Sequence, residues 1–147
     1  GDYETCLVRT ARAILAVDPS SGLRCGGSPD SFVPAIGARR RIRALLALGW
    51  RHADITAAMG TAVRSDVVLS QRGGWITVRV HEAVVRAYAA LENRRGPSQA
   101  TATRARIAGY PPPAAWDDDA LDDPWADEDA ARAAAGLPTS AEMVRSA

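Results

Sequence analysis

The chain contains no lysine: all 18 of its basic residues are arginine. Such cations are planar and permanently charged, and each offers a fork that fits a phosphate or the edge of a guanine. Cysteine is almost missing. Cys6 and Cys25 stand alone among 147 residues, with no histidine near either, which excludes a zinc site and leaves two reduced structural thiols as the expectation. Phenylalanine occurs once and aromatics amount to 5%, so the core should be small, helical and rich in alanine. β-branched residues gather only at 63–68 and 76–85, too few for a sheet of any size. There is no apolar run of membrane-spanning length and no basic-then-apolar leader pattern, so the expectation is a cytoplasmic protein with no membrane association. Catalytic vocabulary is equally thin. The sequence lacks a Ser-His-Asp or Cys-His set in supportive context, a phosphate-cradling glycine loop and any metal-ligand spacing. The aspartate run at 117–123 lacks the glycine and closing glutamate of a calcium loop. No enzyme, cofactor or metal is expected.

What is present is a separation of charge that the formal net of +1 conceals. Residues 31–110 hold 13 arginines against Asp54, Asp66, Glu82 and Glu92, a balance of +9, whereas 111–147 hold two arginines against nine acids, a balance of −7. A basic middle followed by an acidic tail points to a polyanion site beside a solvated or self-screening segment.

The basic middle has a helical grammar. Ile42, Leu45, Leu46 and Leu48 mark a first helix that Gly49-Trp50 breaks. His52–Met59 form a second, with Ile55 and Met59 on one side, and Gly60 supplies a sharp turn into a third at Ala62–Gln71. Helix, glycine turn, helix is the outline of a helix-turn-helix, whose last helix enters the major groove of DNA. Thr77 is a reasonable N-cap for a longer helix, Val78–Glu92, buried along Val80, Val84, Ala87, Tyr88 and Leu91. Ser98 caps another through Ala108, carrying Arg104 and Arg106 outward, and Gly109 with three prolines at 111–113 ends it. Upstream, residues 4–17 read as an amphipathic helix and 18–37 as a loop, with Phe32 and Val33 pinned to the core. Downstream, Trp116, Leu121 and Trp125 are spaced as anchors along an extended acidic strap, and Thr139 with Glu142 forms a capping box for a short terminal helix. The fold expected is therefore all-α: a helix-turn-helix bundle (37–108) between an N-terminal helix and loop (1–36) and the strap (109–147).

Several stretches resemble helix-turn-helix proteins of actinobacteria and their bacteriophages. They are TARAILAV (10–17), GARRRIRALLALGWRHADITAAMG (37–60), EAVVRAYAALEN (82–93) and GYPPPAAWDDDALDDP (109–124). Members show an arginine-rich first helix, an ALGW turn and a GWxPPLAWDDDxIDDP-like tail. The resemblance implies a cytosolic DNA-binding regulator, with residues 10–17 similar to the closing helix of a first, reduced helix-turn-helix unit. Asp66 is a departure, standing near a place normally apolar.

The expected interface follows. Arg39, Arg40 and Arg43 clamp phosphate from the first helix, with Arg40 and Arg43 facing outward and one of the four arginines at 39–43 turned toward the strap. His52 touches phosphate, Arg64 and Ser65 reach base edges, and Gln71 and Arg72 contact the backbone. The partner is double-stranded DNA, with a homodimer or a host protein as a second partner. The function expected is sequence-preferring DNA binding by a transcriptional regulator. The alternative keeps the scaffold but binds another protein, favoured by Asp66 and the apolar Val63, Val67, Val68 and Leu69. A further expectation, compatible with both, is that the strap covers the arginine helix and regulates access to it.

Overall fold

The computed structural model describes residues 28–146; the expected helix at 4–17 and both cysteines lie outside the described residues. Helix α1 (Ile36–Ala47) forms the spine. Ala38, Ile42 and Leu45 recur at spacings of four and three and are fully buried, one continuous apolar stripe. It stops where Gly49 takes a φ of +94°, a left-handed turn that a Cβ would oppose. Helix α2 (His52–Met59) buries only Ile55 and Met59 and ends on Gly60, at φ +64°. Helix α3 (Ser65–Ser70) follows, three residues shorter at its start than the sequence pattern suggested, because 61–63 form bends and Arg64 is extended.

Strands β1 (Phe32–Pro34) and β2 (Trp75–Thr77) pair antiparallel, Val33 opposite Ile76. This small ribbon was not expected, since its first strand lies in a segment read as loop. It also inverts the reading of Phe32: the pleat turns Val33 inward, 5% exposed, and leaves Phe32 54% exposed. Helix α4 (Val78–Leu91) starts on the expected cap, Thr77 Oγ1 accepting from Val80 N at 3.3 Å. It packs Val84, Ala87, Tyr88 and Leu91 inward against α1 and α2. Helix α5 (Gln99–Ile107) begins at Ser98, whose Oγ accepts from Thr101 N. The link between α4 and α5 lies directly on the α1–α2 turn. Gly96 N donates to Leu48 O at 2.9 Å and Ser98 N to Gly49 O at 3.0 Å. A Cβ on Gly96 would sit 2.2 Å from the Gly49 carbonyl carbon, so only glycine allows that approach.

Beyond Gly109 the chain is less extended than expected. Two 3-10 turns (Pro113–Ala115 and Asp118–Ala120) precede helices α6 (Glu128–Ala134) and α7 (Ser140–Arg145). Helix α6 is capped by Asp127, and α7 has the expected Thr139–Glu142 capping box. Trp116 and Leu121 anchor this segment, 9% and 2% exposed, whereas Trp125 does not: it is 91% exposed. The described residues are thus helix-dominated with one small sheet.

Candidate nucleic-acid interface

The four arginines of α1 do not form an open cationic face. Arg40 is 2% exposed. Its Nε donates to Glu128 Oε1 at 3.1 Å, Nη1 to the carbonyls of Ala120, Leu121 and Asp123 at 3.0, 3.3 and 2.5 Å, and Nη2 to Ala126 O at 3.4 Å. The Trp116 ring closes one face, 5.1 Å away. Arg41 meets Asp122 in two parallel bonds of 2.5 and 2.6 Å. Arg43 lies half-buried over Tyr110 at 5.4 Å, its Nε buried without a partner among the described residues. Arg39 donates to the carbonyls of Gln71, Gly73 and Val68. The outward placement expected for Arg40 and Arg43 is therefore corrected, and two arginines rather than one turn to the acidic segment. The physical reason is desolvation. A guanidinium covered by protein needs all its N–H groups satisfied, and residues 120–128 supply the carbonyls and carboxylates.

Behind this clasp sits His81, 4% exposed, with Nε2 3.8 Å from Asp122 Oδ1. Burial lowers its pKa to about 4, against the opposing pull of Asp122, so the ring is neutral at neutral pH. Burial would raise the Asp122 carboxyl, but the hydrogen bonds and charge of Arg41, with His81 and Arg40 behind, hold it below the ordinary carboxylate range.

The turn between α2 and α3 is fastened by Ser65, which is fully buried. Its Oγ donates to His52 O at 3.1 Å, lies 2.9 Å from His52 Nδ1 and accepts from Thr56 Oγ1, while Ser65 N donates to Thr56 Oγ1 at 3.0 Å. Ser65 is therefore a clasp between helices, which corrects its expected role at base edges. His52 is half-buried against it, and burial lowers its pKa.

Arg64 is different. It precedes α3 with its side chain 70% exposed, and Asp66 accepts from its Nε at 3.0 Å and its Nη2 at 2.5 Å. That grip takes one edge of the guanidinium and leaves the Nη1–Nη2 fork directed away from the carboxylate. Val67 and Ser70 along α3, and Gln71 and Arg72 at its exit, are exposed. Arg39 holds the Gln71 and Gly73 carbonyls, so an internal arginine sets where the exit of α3 lies.

Helix α5 separates two grooves by its own periodicity. Thr101, Arg104, Ala105 and Ala108 line one of ≈ 600 Å³, whose other wall is Arg51 with His52 and Ala53 at the start of α2 and Leu69 of α3. Gln99, Ala102, Thr103 and Arg106 line the other, of ≈ 490 Å³. Arg104 and Arg106 are exposed and make no ion pair among the described residues. Arg51 is exposed and paired with Asp54 at 2.9 Å, an exposed pair of small net strength. The outward direction of Arg104 was readable from the sequence. Its place across one groove from the start of α2 was not, because 51 to 53 residues separate those positions and no local pattern links them.

No family model, curated protein or solved structure matches the chain. Among the described residues no helix is long and apolar enough to cross a membrane, and no cluster of three or more His, Cys, Asp or Glu is arranged to hold a metal ion.

Proposed function

We propose that the protein is a sequence-preferring double-stranded-DNA-binding regulator, built on a helix-turn-helix formed by α2 and α3 and related to the actinobacterial and phage proteins its sequence resembles. The observation that carries this reading is Arg64: exposed at the entry to α3 and steadied on one edge by Asp66, with its free fork suited to guanine O6 and N7. Such a contact discriminates by about 1–3 kcal/mol. The phosphate contacts belong to Arg51 and Arg104 on the groove walls and to Arg72 beyond α3, rather than to the arginines of α1. The acidic strap is then part of the scaffold, holding Arg40 and Arg41 of α1, and not a cover over the reading unit. Selection from random duplex pools, followed by binding of the enriched and scrambled duplexes, tests the reading. Enrichment of a motif that Arg64→Ala loses supports it; no enrichment rejects it.

Val63 and Val67, 36% and 49% exposed at and just before α3, favour a second reading in which the scaffold binds a protein. Arg64→Ala with Arg104→Ala separates the two: it should abolish DNA retention under the first reading and leave capture of a protein partner intact under the second.

A further inference from the structure

Trp125 is the most exposed of the large apolar side chains among the described residues, at 91%, yet the backbone around it is held firmly. Arg40 donates to the carbonyls of Asp123 and Ala126 on either side, and Trp125 N donates to Asp123 Oδ1 at 2.9 Å. An indole displayed from a fixed turn loses little freedom on being covered, and tryptophan is prominent among residues that dominate interfaces. Acids flank it in the chain: Asp123 and Asp127, two residues away on either side, carry no ion pair among the described residues, and Asp117, Asp118 and Asp119 are exposed six to eight residues upstream.

The complement of this feature lies on the same chain. The ≈ 490 Å³ groove beside α5 has a floor of Leu48, Ala102, Tyr110 and Leu137 and a rim carrying Arg95 and Arg106, both exposed and without an ion pair among the described residues. It has room for an indole, which removes about 150–250 Å² from water when covered. One chain thus bears an acid-flanked tryptophan and a partly apolar groove that carries two unpaired arginines, and its own Trp125 does not line that groove.

We propose that Trp125 seats in this groove of a second copy, reciprocally, so that a two-fold axis uses each feature twice. The inference goes beyond DNA binding and does not rest on it. Arg104 faces the other groove, so the dimer leaves the proposed phosphate contacts open.

Sedimentation equilibrium of the full chain without DNA, over a wide concentration range, is the test. A reversible dimer is expected, weakened at least about 30-fold by Trp125→Ala and comparably by Arg95→Glu with Arg106→Glu. All these positions are exposed, and circular dichroism checks that each variant is folded. Mixing the two variants gives a heterodimer in which Trp125 of the groove variant meets the intact groove of the other, so the mixture should associate more strongly than either alone. A monomer at every concentration overturns the proposal, as does a dimer indifferent to Trp125→Ala. Loss with Trp125→Ala but not with the groove variant, or no gain on mixing, places the indole elsewhere and also overturns it.

Discussion

Arg41 and Asp122 meet fork to fork across 81 residues of chain, at 2.5 and 2.6 Å, with both side chains more than nine-tenths buried. A pair so deeply covered is weak evidence for net stabilisation, but breaking it from one side strands a buried charge. Asp122→Ala should therefore cost about 3–5 kcal/mol. Arg41→Met with Asp122→Leu should recover most of that loss, since neither charge then remains. Urea unfolding of the three proteins measures both.

Gly37 gives an independent check. A Cβ there would lie 1.9 Å from Asp122 Oδ1, so Gly37→Ala must drive the carboxylate from its seat. The expected loss is similar to that of Asp122→Ala. In the Asp122→Ala background the same change should be neutral or slightly stabilising, because alanine is the better helix former by about 1 kcal/mol. Equal losses in both backgrounds would show that the clash lies elsewhere.

His81 makes stability depend on pH. The unfolded chain accepts a proton near the ordinary value of 6.5, whereas the buried ring resists one until about 4. Stability from this group is complete above 6.5 and falls as pH drops toward 4, by on the order of 3 kcal/mol. His52 is lowered too and acts in the same sense, so the informative quantity is a difference. His81→Leu should flatten the stability profile between 6.5 and 4 relative to the parent. A parallel profile would show that the ring takes up its proton in the folded state as readily as in the unfolded.

The buried arginines and the open ones should separate in DNA binding. Arg40→Met is expected to lower stability and leave the salt slope of the folded protein unchanged, while Arg72→Ala and Arg104→Ala each reduce that slope by about 1. Removal of 109–147 should destabilise α1 rather than raise affinity, because Arg40 and Arg41 lose their partners. A truncated protein that binds more tightly would make the strap a gate.

What the sequence made legible was local. Thr77, Ser98 and the Thr139–Glu142 box announce helix starts within three residues of themselves, and Gly49 and Gly60 mark turns that demand a positive φ. The stripe on α4 and the anchors Trp116 and Leu121 are also periodic or compositional signals. The arginines of α1 were misread because a basic run has the same spelling whether it faces phosphate or a carbonyl-lined clasp, and the clasp lies some 80 residues away. Ser65 was misread for a similar reason. A serine at a helix start resembles a base contact until His52 and Thr56 are seen folded back upon it. Trp125 and Phe32 show the limit of treating every aromatic as core.

The most direct test of α3 as the reading element is the affinity of wild type and Arg64→Ala for an enriched and a scrambled duplex, measured across a salt series. The expected result is a log–log slope of about −3, from Arg51, Arg72 and Arg104, with Arg64→Ala weakening the enriched duplex by about 1–3 kcal/mol and the scrambled one far less. A flat salt response, or equal losses on both duplexes, would contradict the assignment.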